Sequence, residues 1–327
     1  MKTIYFLENE INKISYYLAI EDYILNNTNE EVFFIWNIDK SIIIGKNQLL
    51  ESEVNLNYIK NNNIPIFRRP SGGGAIYADN GCFMFSFITR NINKDEVYKN
   101  NLTLIVEALK KIGINVYFSG RNDLMFNNKK FSGNAFYSNK NGSVLHGTFL
   151  FDTNLSELVK SITPDNEKLI SKGIKSVSER VINLKDYTTF SKMEMIQYLN
   201  QEVSKEKVYL TDNEINIIKE IEKKYFDELW IYKNNPPYTY FNKERFGYGK
   251  IELYVDVYKN KIKNFSINGD FFEINNLFDF CECFKGIEFN KEELLKVLDK
   301  VNISDYILNS NNKDLIKMIF KEENCGN

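Results

Sequence analysis

Apolar residues recur at close to helical spacing from Ile11 to Leu25, and the Asn27–Thr28–Asn29 run breaks the period, which predicts a first helix. Val32 to Trp36 and Ser41 to Ile44 read as two strands around an Asp39–Lys40 turn, the second ended by Gly45. Glu53 to Asn62 has a helical pattern and Pro65 to Arg69 an extended one. A Gly-rich turn, Ser71 to Gly74, then feeds Ala75 to Ala78, the Asp79–Asn80–Gly81 turn and the apolar strand Cys82 to Ile88. Lys94 to Ile112 is an amphipathic helix stopped by Gly113, with a strand from Ile114 to Phe118 behind it. The turn Gly120–Arg121–Asn122–Asp123 precedes a strand at Leu124 to Phe126. Lys129 to Tyr137 and Ser143 to Phe151 form an antiparallel pair joined through Asn139 to Gly142.

Beyond Asp152 the pattern turns mainly helical, at Leu155 to Ile162, Ser191 to Val203 and Asp212 to Tyr225. Pro236–Pro237 cannot continue a helix and marks a break. Strands follow at Gly249 to Val257 and Lys261 to Gly269, then helices at Asn290 to Val301 and Asn312 to Glu322. Strands that cluster as hairpins instead of alternating with helices favour an α+β fold over a doubly wound parallel sheet. The last strand-then-helix stretch has the size of a small domain of its own.

Composition narrows the partners. The 327 residues are 43% hydrophobic and 26% charged, a balance that supports one or two buried cores. A formal net charge of −2 lacks the basic excess of a protein that neutralises many phosphates, so nucleic acid is not an expected partner. Glu8 and Glu10 interrupt the N-terminal stretch before a signal peptide could form, and no apolar run approaches the roughly 18 residues of a membrane span. The chain therefore reads as cytoplasmic and soluble, with no membrane partner.

The four cysteines, Cys82, Cys281, Cys283 and Cys325, form no CxxC pair and read as reduced thiols. Cys281 and Cys283 would share one side of a strand if that segment is one. His146 is the only histidine. A multi-histidine zinc site and HExxH chemistry are thereby excluded, and any Ser–His or Cys–His mechanism would have to run through His146.

The densest chemistry lies in Arg68–Arg69–Pro70–Ser71–Gly72–Gly73–Gly74–Ala75–Ile76–Tyr77. Consecutive glycines leave backbone amides open to an anion or a flat ligand, and the two arginines add charge in a fork suited to phosphate or carboxylate. GxxxxGK[ST] is absent, so this is not a P-loop. Read alone, the segment is equally a flexible hairpin loop beside a basic surface.

A second cluster joins Gly120–Arg121–Asn122–Asp123 to Lys129–Lys130–Phe131–Ser132–Gly133–Asn134–Ala135. On strict alternation Lys130 and Ser132 point one way and Lys129 and Phe131 the other, so one lysine should face inward and want an anionic partner. Asp123 is open to three roles: a turn acid, the partner of that lysine, or a magnesium contact. His146–Gly147–Thr148 lies in a strongly apolar strand, where a lone histidine is more often a hydrogen-bonded core residue than a catalyst. Lys172 to Val181 alternates basic and hydroxyl residues around Gly173, as a loop that folds over a ligand or as a plain connector.

Taken in order, with Gly45–Lys46–Asn47–Gln48 ahead of the arginine pair, these segments resemble the lipoate–protein ligase A family. The resemblance runs from the first helix to Leu184, and the family's small C-terminal domain resembles Phe246 onward. It implies the biotin/lipoate ligase fold, a mixed, largely antiparallel sheet flanked by helices, with a small α+β C-terminal domain. It also implies a catalytic lipoate- and ATP-binding domain at residues 1–243 and an accessory domain at 244–327.

The activity implied is ATP-dependent, with Mg2+: lipoate attacks the α-phosphate to give lipoyl-AMP, and an acceptor lysine then takes the lipoyl group. By the same resemblance Arg69, Gly74, Ala75, Ile76, Tyr77, Asp123 and Arg180 hold ATP or the adenylate, and Lys130 contacts both the lipoyl carboxyl oxygen and the phosphate. Ser71, Gly72, Gly73 and His146 join Lys130 around lipoate, and Lys172 to Arg180 covers the adenylate. Implied acceptors are lipoyl domains of 2-oxoacid dehydrogenase E2 subunits and the glycine-cleavage H protein. A fixed cation between two anions lowers the first barrier without proton transfer, which suits a chain with a single histidine. The strands around Ile42 to Ile44 and Cys82 to Phe87 could wall an apolar slot for the lipoyl tail.

One stretch departs from the family. Where many members read Tyr-His-Asp-x-Gly-Asn, this chain has Tyr77–Ala78–Asp79–Asn80–Gly81–Cys82. Two rivals follow: an octanoyl or lipoyl transferase of the same fold working through a Cys82 thioester, and a non-catalytic homologue that binds lipoate or the acceptor without turnover.

Overall fold

The computed structural model describes residues 1–6, 11–120, 122–162, 177, 179–233 and 236–320. The chain divides into two compact units. The first comprises Met1–Ile44, Leu50–Arg69 and Ala75–Ile231; the second comprises Gly45–Leu49, Pro70–Gly74 and the chain from Tyr232 onward.

Strands of the first unit are β1 (Lys2–Ile4), β2 (Val32–Trp36), β3 (Ser41–Ile44), β4 (Ile66–Arg68), β5 (Ile76–Ala78), β6 (Cys82–Thr89), β7 (Tyr117–Phe118), β8 (Asp123–Phe126), β9 (Lys129–Asn139), β10 (Gly142–Leu150) and β11 (Lys207–Val208). Its helices are α1 (Ile14–Asn27), α2 (Leu56–Asn61), α3 (Lys94–Lys111), α4 (Leu155–Ile162), α5 (Lys192–Val203), α6 (Asp212–Glu222) and the short α7 (Glu228–Tyr232).

Eight strands form the main sheet in the order β11-β1-β2-β6-β10-β9-β8-β7. Only the pairings of β1 with β2 and β11 are parallel, so the sheet is mixed and largely antiparallel. All eight residues of β6 are buried, because helices cover both of its faces. Phe83, Phe85 and Phe87 pack with Leu102, Ile105 and Leu109 of α3 and Met195 and Leu199 of α5. On the other face Cys82, Met84 and Ile88 pack with Tyr17, Leu18 and Ile24 of α1 and Ile218 of α6. Each buried phenylalanine contributes about 1.5–3 kcal/mol relative to exposure. This two-sided burial is why the segment reads as an unbroken apolar run and not as an alternating one.

Helix ends are satisfied locally. Ser191 with Glu194 and Thr211 with Glu214 form capping boxes on α5 and α6. Arg90 serves the end of α1, its guanidinium donating to the carbonyls of Ile24 at 2.9 Å and Leu25 at 3.0 Å.

The Asp39–Lys40 turn does not close a hairpin. Past it the chain leaves the main sheet, and β3 becomes the centre of a second sheet, parallel to β4 and antiparallel to β5. Ile42, Ile44 and Tyr77 of that sheet share a core with Leu50, Val54 and Ile59.

The second unit holds an antiparallel sheet of β12 (Tyr240–Phe246), β13 (Gly249–Tyr258) and β14 (Lys261–Gly269). Its helices are α8 (Leu277–Glu282), α9 (Lys291–Leu298) and α10 (Asn312–Phe320). Ile251, Leu253, Val255, Phe265 and Ile267 pack with Phe280, Phe284, Leu294 and Leu315. Cys281 and Cys283 lie at the end of α8 and not on a strand, and Cys281 is buried while Cys283 is exposed. Among the described residues no helix is long and apolar enough to cross a membrane.

Candidate active site

The two arginines that precede the Gly-rich loop have different duties. Arg68 is fully buried, and its Nε and Nη2 donate to the carbonyls of Trp230 and Ile231 at 2.8 Å each, while Trp230 Nε1 returns a bond to the Arg68 carbonyl at 3.0 Å. It ties β4 to the end of α7. Arg69 is 4% exposed; its amide donates to Ile44 and its Nη1 to the Ile43 carbonyl at 3.1 Å. Burial lowers both guanidinium pKa values to about 10, and Arg68 adds to the effect on Arg69, yet both stay charged at neutral pH.

Downstream of the loop, Ile76 and Tyr77 pair with Ile43 and Ile42 of β3, and Gly74 has open space where a Cβ would stand. The Tyr77 ring is buried, and desolvation raises its phenol pKa, so it is a neutral packing group. Ser71, Gly72 and Gly73 belong to the second unit. The Ser71 carbonyl accepts from the Lys46 amide at 2.9 Å, and the Gly73 amide donates to the Phe271 carbonyl at 3.0 Å. Gly73 has φ +88°, and a side chain at Gly72 would collide with that same carbonyl of Phe271.

Lys130 follows Lys129 in the β8–β9 hairpin. Its Nζ lies 2.8 Å from Asp123 Oδ1, with the two side chains 36% and 28% exposed. A register shift between Leu124 and Met125 sets Lys130 opposite Met125 and Ser132 opposite Leu124, so Phe131 is an extra residue in β9. Strict alternation therefore fails here. Lys130 shares a side with Gly133, where a Cβ would stand 2.6 Å from Nζ and 2.7 Å from Cε, while Phe131 enters the core. Gly133 is held by the Thr148 hydroxyl, which accepts from its amide at 3.1 Å. The Lys130 carbonyl accepts from the Ile182 amide at 3.0 Å, so the backbone beneath the ammonium is anchored from both sides. Arg180 is exposed, in a turn closed by the Val181 amide on the Val177 carbonyl. Residues 172–176 and 178 of the expected covering loop lie outside the described residues.

His146 is a core residue in this structure. Its Nδ1 lies 2.8 Å from Glu21 Oε1, which also accepts from Ser86 Oγ, and Ser86 in turn accepts from Trp36 Nε1 at 2.8 Å. Trp36 stands edge-on to the imidazole with ring centres 6.0 Å apart. Glu21, Ser86 and Trp36 were not singled out from the sequence. The available signal was a glutamate at the centre of an apolar helix, where a charge needs a buried partner.

Cys82 is unsuited to nucleophilic catalysis. It is 0% exposed, and burial pushes its thiol up to about 12, with Sγ donating to the Asp79 carbonyl. The thioester alternative loses its only candidate near these motifs. Among the described residues no group of three or more His, Cys, Asp or Glu side chains could hold a metal ion.

Residues 13–204 match the Lipoyl protein ligase A/B catalytic domain, and residues 235–319 match the Bacterial lipoate protein ligase C-terminus. Lipoate–protein ligase 1 of Staphylococcus aureus is 34% identical over 95% of this chain and 98% of that protein. A lipoate–protein ligase of Bacillus subtilis is 31% identical over 96% of this chain and 99% of its own. The crystal structure of Plasmodium falciparum LipL1 in complex with lipoate superposes with a TM-score of 0.79 at 28% identity, covering 97% of both chains. A bi-partite ligase from Thermoplasma acidophilum gives 0.64 at 26% identity over 73% of this chain and 98% of that one. With both of its units matched along nearly their whole length, the chain belongs to the lipoate–protein ligase family.

Proposed function

We propose that this ligase runs both of its steps around Lys130. The enzyme activates lipoate with ATP, releasing pyrophosphate, and transfers the lipoyl group from lipoyl-AMP to an acceptor lysine. The observation that carries the assignment is the preorganised ammonium: Lys130 Nζ is held at 2.8 Å by Asp123 over a glycine that leaves it room. When the lipoate carboxylate attacks the α-phosphate, negative charge accumulates on the phosphate oxygens. An ammonium already in place stabilises that charge without reorganising. In the second step a neutral amine attacks the carbonyl of the mixed anhydride, AMP leaves, and the same ammonium faces the tetrahedral oxyanion.

Arg69 and the backbone from Gly74 to Tyr77 serve the nucleotide in this reading, with Arg180 at its edge. Ser71, Gly72 and Gly73 serve lipoate, whereas His146, buried and bonded to Glu21, stays a core residue. Asp123 is a single carboxylate, and that is what a protein contributes to Mg2+ carried on nucleotide phosphates. The ion, when bound, would neutralise phosphate charge.

The acceptors we propose are lipoyl domains of 2-oxoacid dehydrogenase E2 subunits and the glycine-cleavage H protein, in the cytoplasm. The archaeal relative, solved as part of a system with its E2 lipoyl domain, supports the first of these. The test is mass spectrometry of a lipoyl domain incubated with the protein, lipoate and Mg-ATP, beside an ATP-free control. An ATP-dependent gain of one lipoyl group is expected; no gain on a competent acceptor would overturn the reading.

A further inference from the structure

We propose that Glu273 is a positioning residue for lipoate activation, fixing through Lys46 and Asn47 the loop that carries Ser71, Gly72 and Gly73. The inference rests on the reading above, in which that loop serves lipoate. Glu273 Oε1 accepts from Lys46 Nζ at 2.9 Å and from the Leu277 amide at 3.1 Å, and Oε2 accepts from Asn47 Nδ2 at 2.8 Å. Its side chain is only 9% exposed, which shields the carboxylate, while Lys46 at 37% exposure still meets water. The segment it holds is the second layer of a relay. The Lys46 amide donates to the Ser71 carbonyl at 2.9 Å, and the Asn47 carbonyl accepts from the Gly269 amide at 2.9 Å.

The relay closes on the loop from the other side as well. Two residues before Glu273, the Phe271 carbonyl accepts from the Gly73 amide and occupies the space a Gly72 side chain would need. Residues 271–273 thus grip the loop directly at Gly73 and indirectly at Ser71. Glycines at 72 and 73 are required by this grip as much as by any ligand. Removing the carboxylate takes the acceptor from Lys46 and Asn47 together and frees the segment that presents an amide to Ser71.

The test measures ATP-dependent pyrophosphate release by the full chain over a range of lipoate concentrations. Glu273→Ala and Lys46→Met should each raise the KM for lipoate by about tenfold, on the scale of one lost charge-assisted hydrogen bond, with kcat within about twofold. The double variant should be no worse than either single one, because both break the same contact. Glu273→Gln, which keeps an acceptor oxygen for Asn47, should fall between wild type and Glu273→Ala.

Urea midpoints of Lys46→Met and Glu273→Ala beside wild type separate a rise in KM from a folding defect of the second unit. An unchanged KM in Lys46→Met, or additive effects in the double variant, would overturn the proposal. A wild-type chain that releases no pyrophosphate would instead sink the underlying reading and this inference with it.

Discussion

The ammonium of Lys130 and the α-carbon of Gly133 occupy adjoining space: a methyl group on Gly133 would stand 2.6 Å from Nζ. The contact exists because the bulge at Phe131 turns Lys130 onto the side of Gly133. Gly133→Ala should therefore displace the ammonium from Asp123 while leaving the core around Phe131 intact. A misplacement of about 1 Å costs on the order of 10²-fold in rate. Steady-state pyrophosphate release at saturating substrates reads it; a near-normal rate would mean that Lys130 has another productive position.

Lys130→Ala removes the charge itself. Lipoyl-AMP formation should fall by about 10²–10³-fold, the cost of losing one preorganised group from a charge-developing site. Asp123→Asn keeps the ammonium and loses its anchor, so a smaller loss, about tenfold, is expected. Raising Mg2+ should relieve part of that loss if Asp123 also contacts the ion. Chromatographic quantification of lipoyl-AMP, with and without excess magnesium, separates the two roles.

Cys82→Ala should leave ligation within about twofold of wild type and lower stability by about 1 kcal/mol, because it removes a small buried group and nothing reactive. A thiol whose pKa is pushed up to about 12 carries almost no thiolate near pH 8. Iodoacetamide at about that pH should label exposed Cys283 and spare Cys82 and Cys281 in the native protein. Peptide mapping checks the pattern, and loss of transfer in Cys82→Ala would revive the thioester route.

Glu21→Ala should be the most destabilising single change among the residues named here. It leaves His146 and Ser86 without their shared acceptor inside the core, at a cost of about 3 kcal/mol. Glu21→Gln keeps one acceptor oxygen and should lose less. Urea midpoints of the two variants beside wild type give the comparison; a wild-type midpoint for Glu21→Ala would show that the network does not hold the fold.

Much of the architecture was legible because burial repeats with the period of the element. The strands at Val32–Trp36 and Ser41–Ile44 and the helix at Leu155–Ile162 have the bounds that their patterns predict. Partner choice was not legible. Both β2 and β3 are buried throughout, and apolar but for Ser41, so neither could indicate that β3 belongs to a separate sheet. Strand β12 escaped notice because Tyr240–Phe246 is a largely exposed edge of mostly polar residues, with little apolar signal. The short α8 was missed because six residues are too few to display a helical period.

The candidate site shows the same division. Resemblance singled out Arg69 and Lys130, but the bulge that orients Lys130 is a property of pairing and leaves no trace in residue order. The bonds joining Glu21, Ser86 and His146 span 65 and 125 positions, beyond any local pattern.

The double cover on β6 gives the molecule a built-in gauge. With helices on both faces and hydrogen-bonded strands on both edges, the amides of Met84–Ile88 can meet solvent only when the surrounding unit opens as a whole. Deuterium uptake by that one peptide therefore clocks global opening. The factor by which a bound ligand slows it reports occupancy directly, about 100-fold when the ligand stands at 100 times its Kd, with no turnover required.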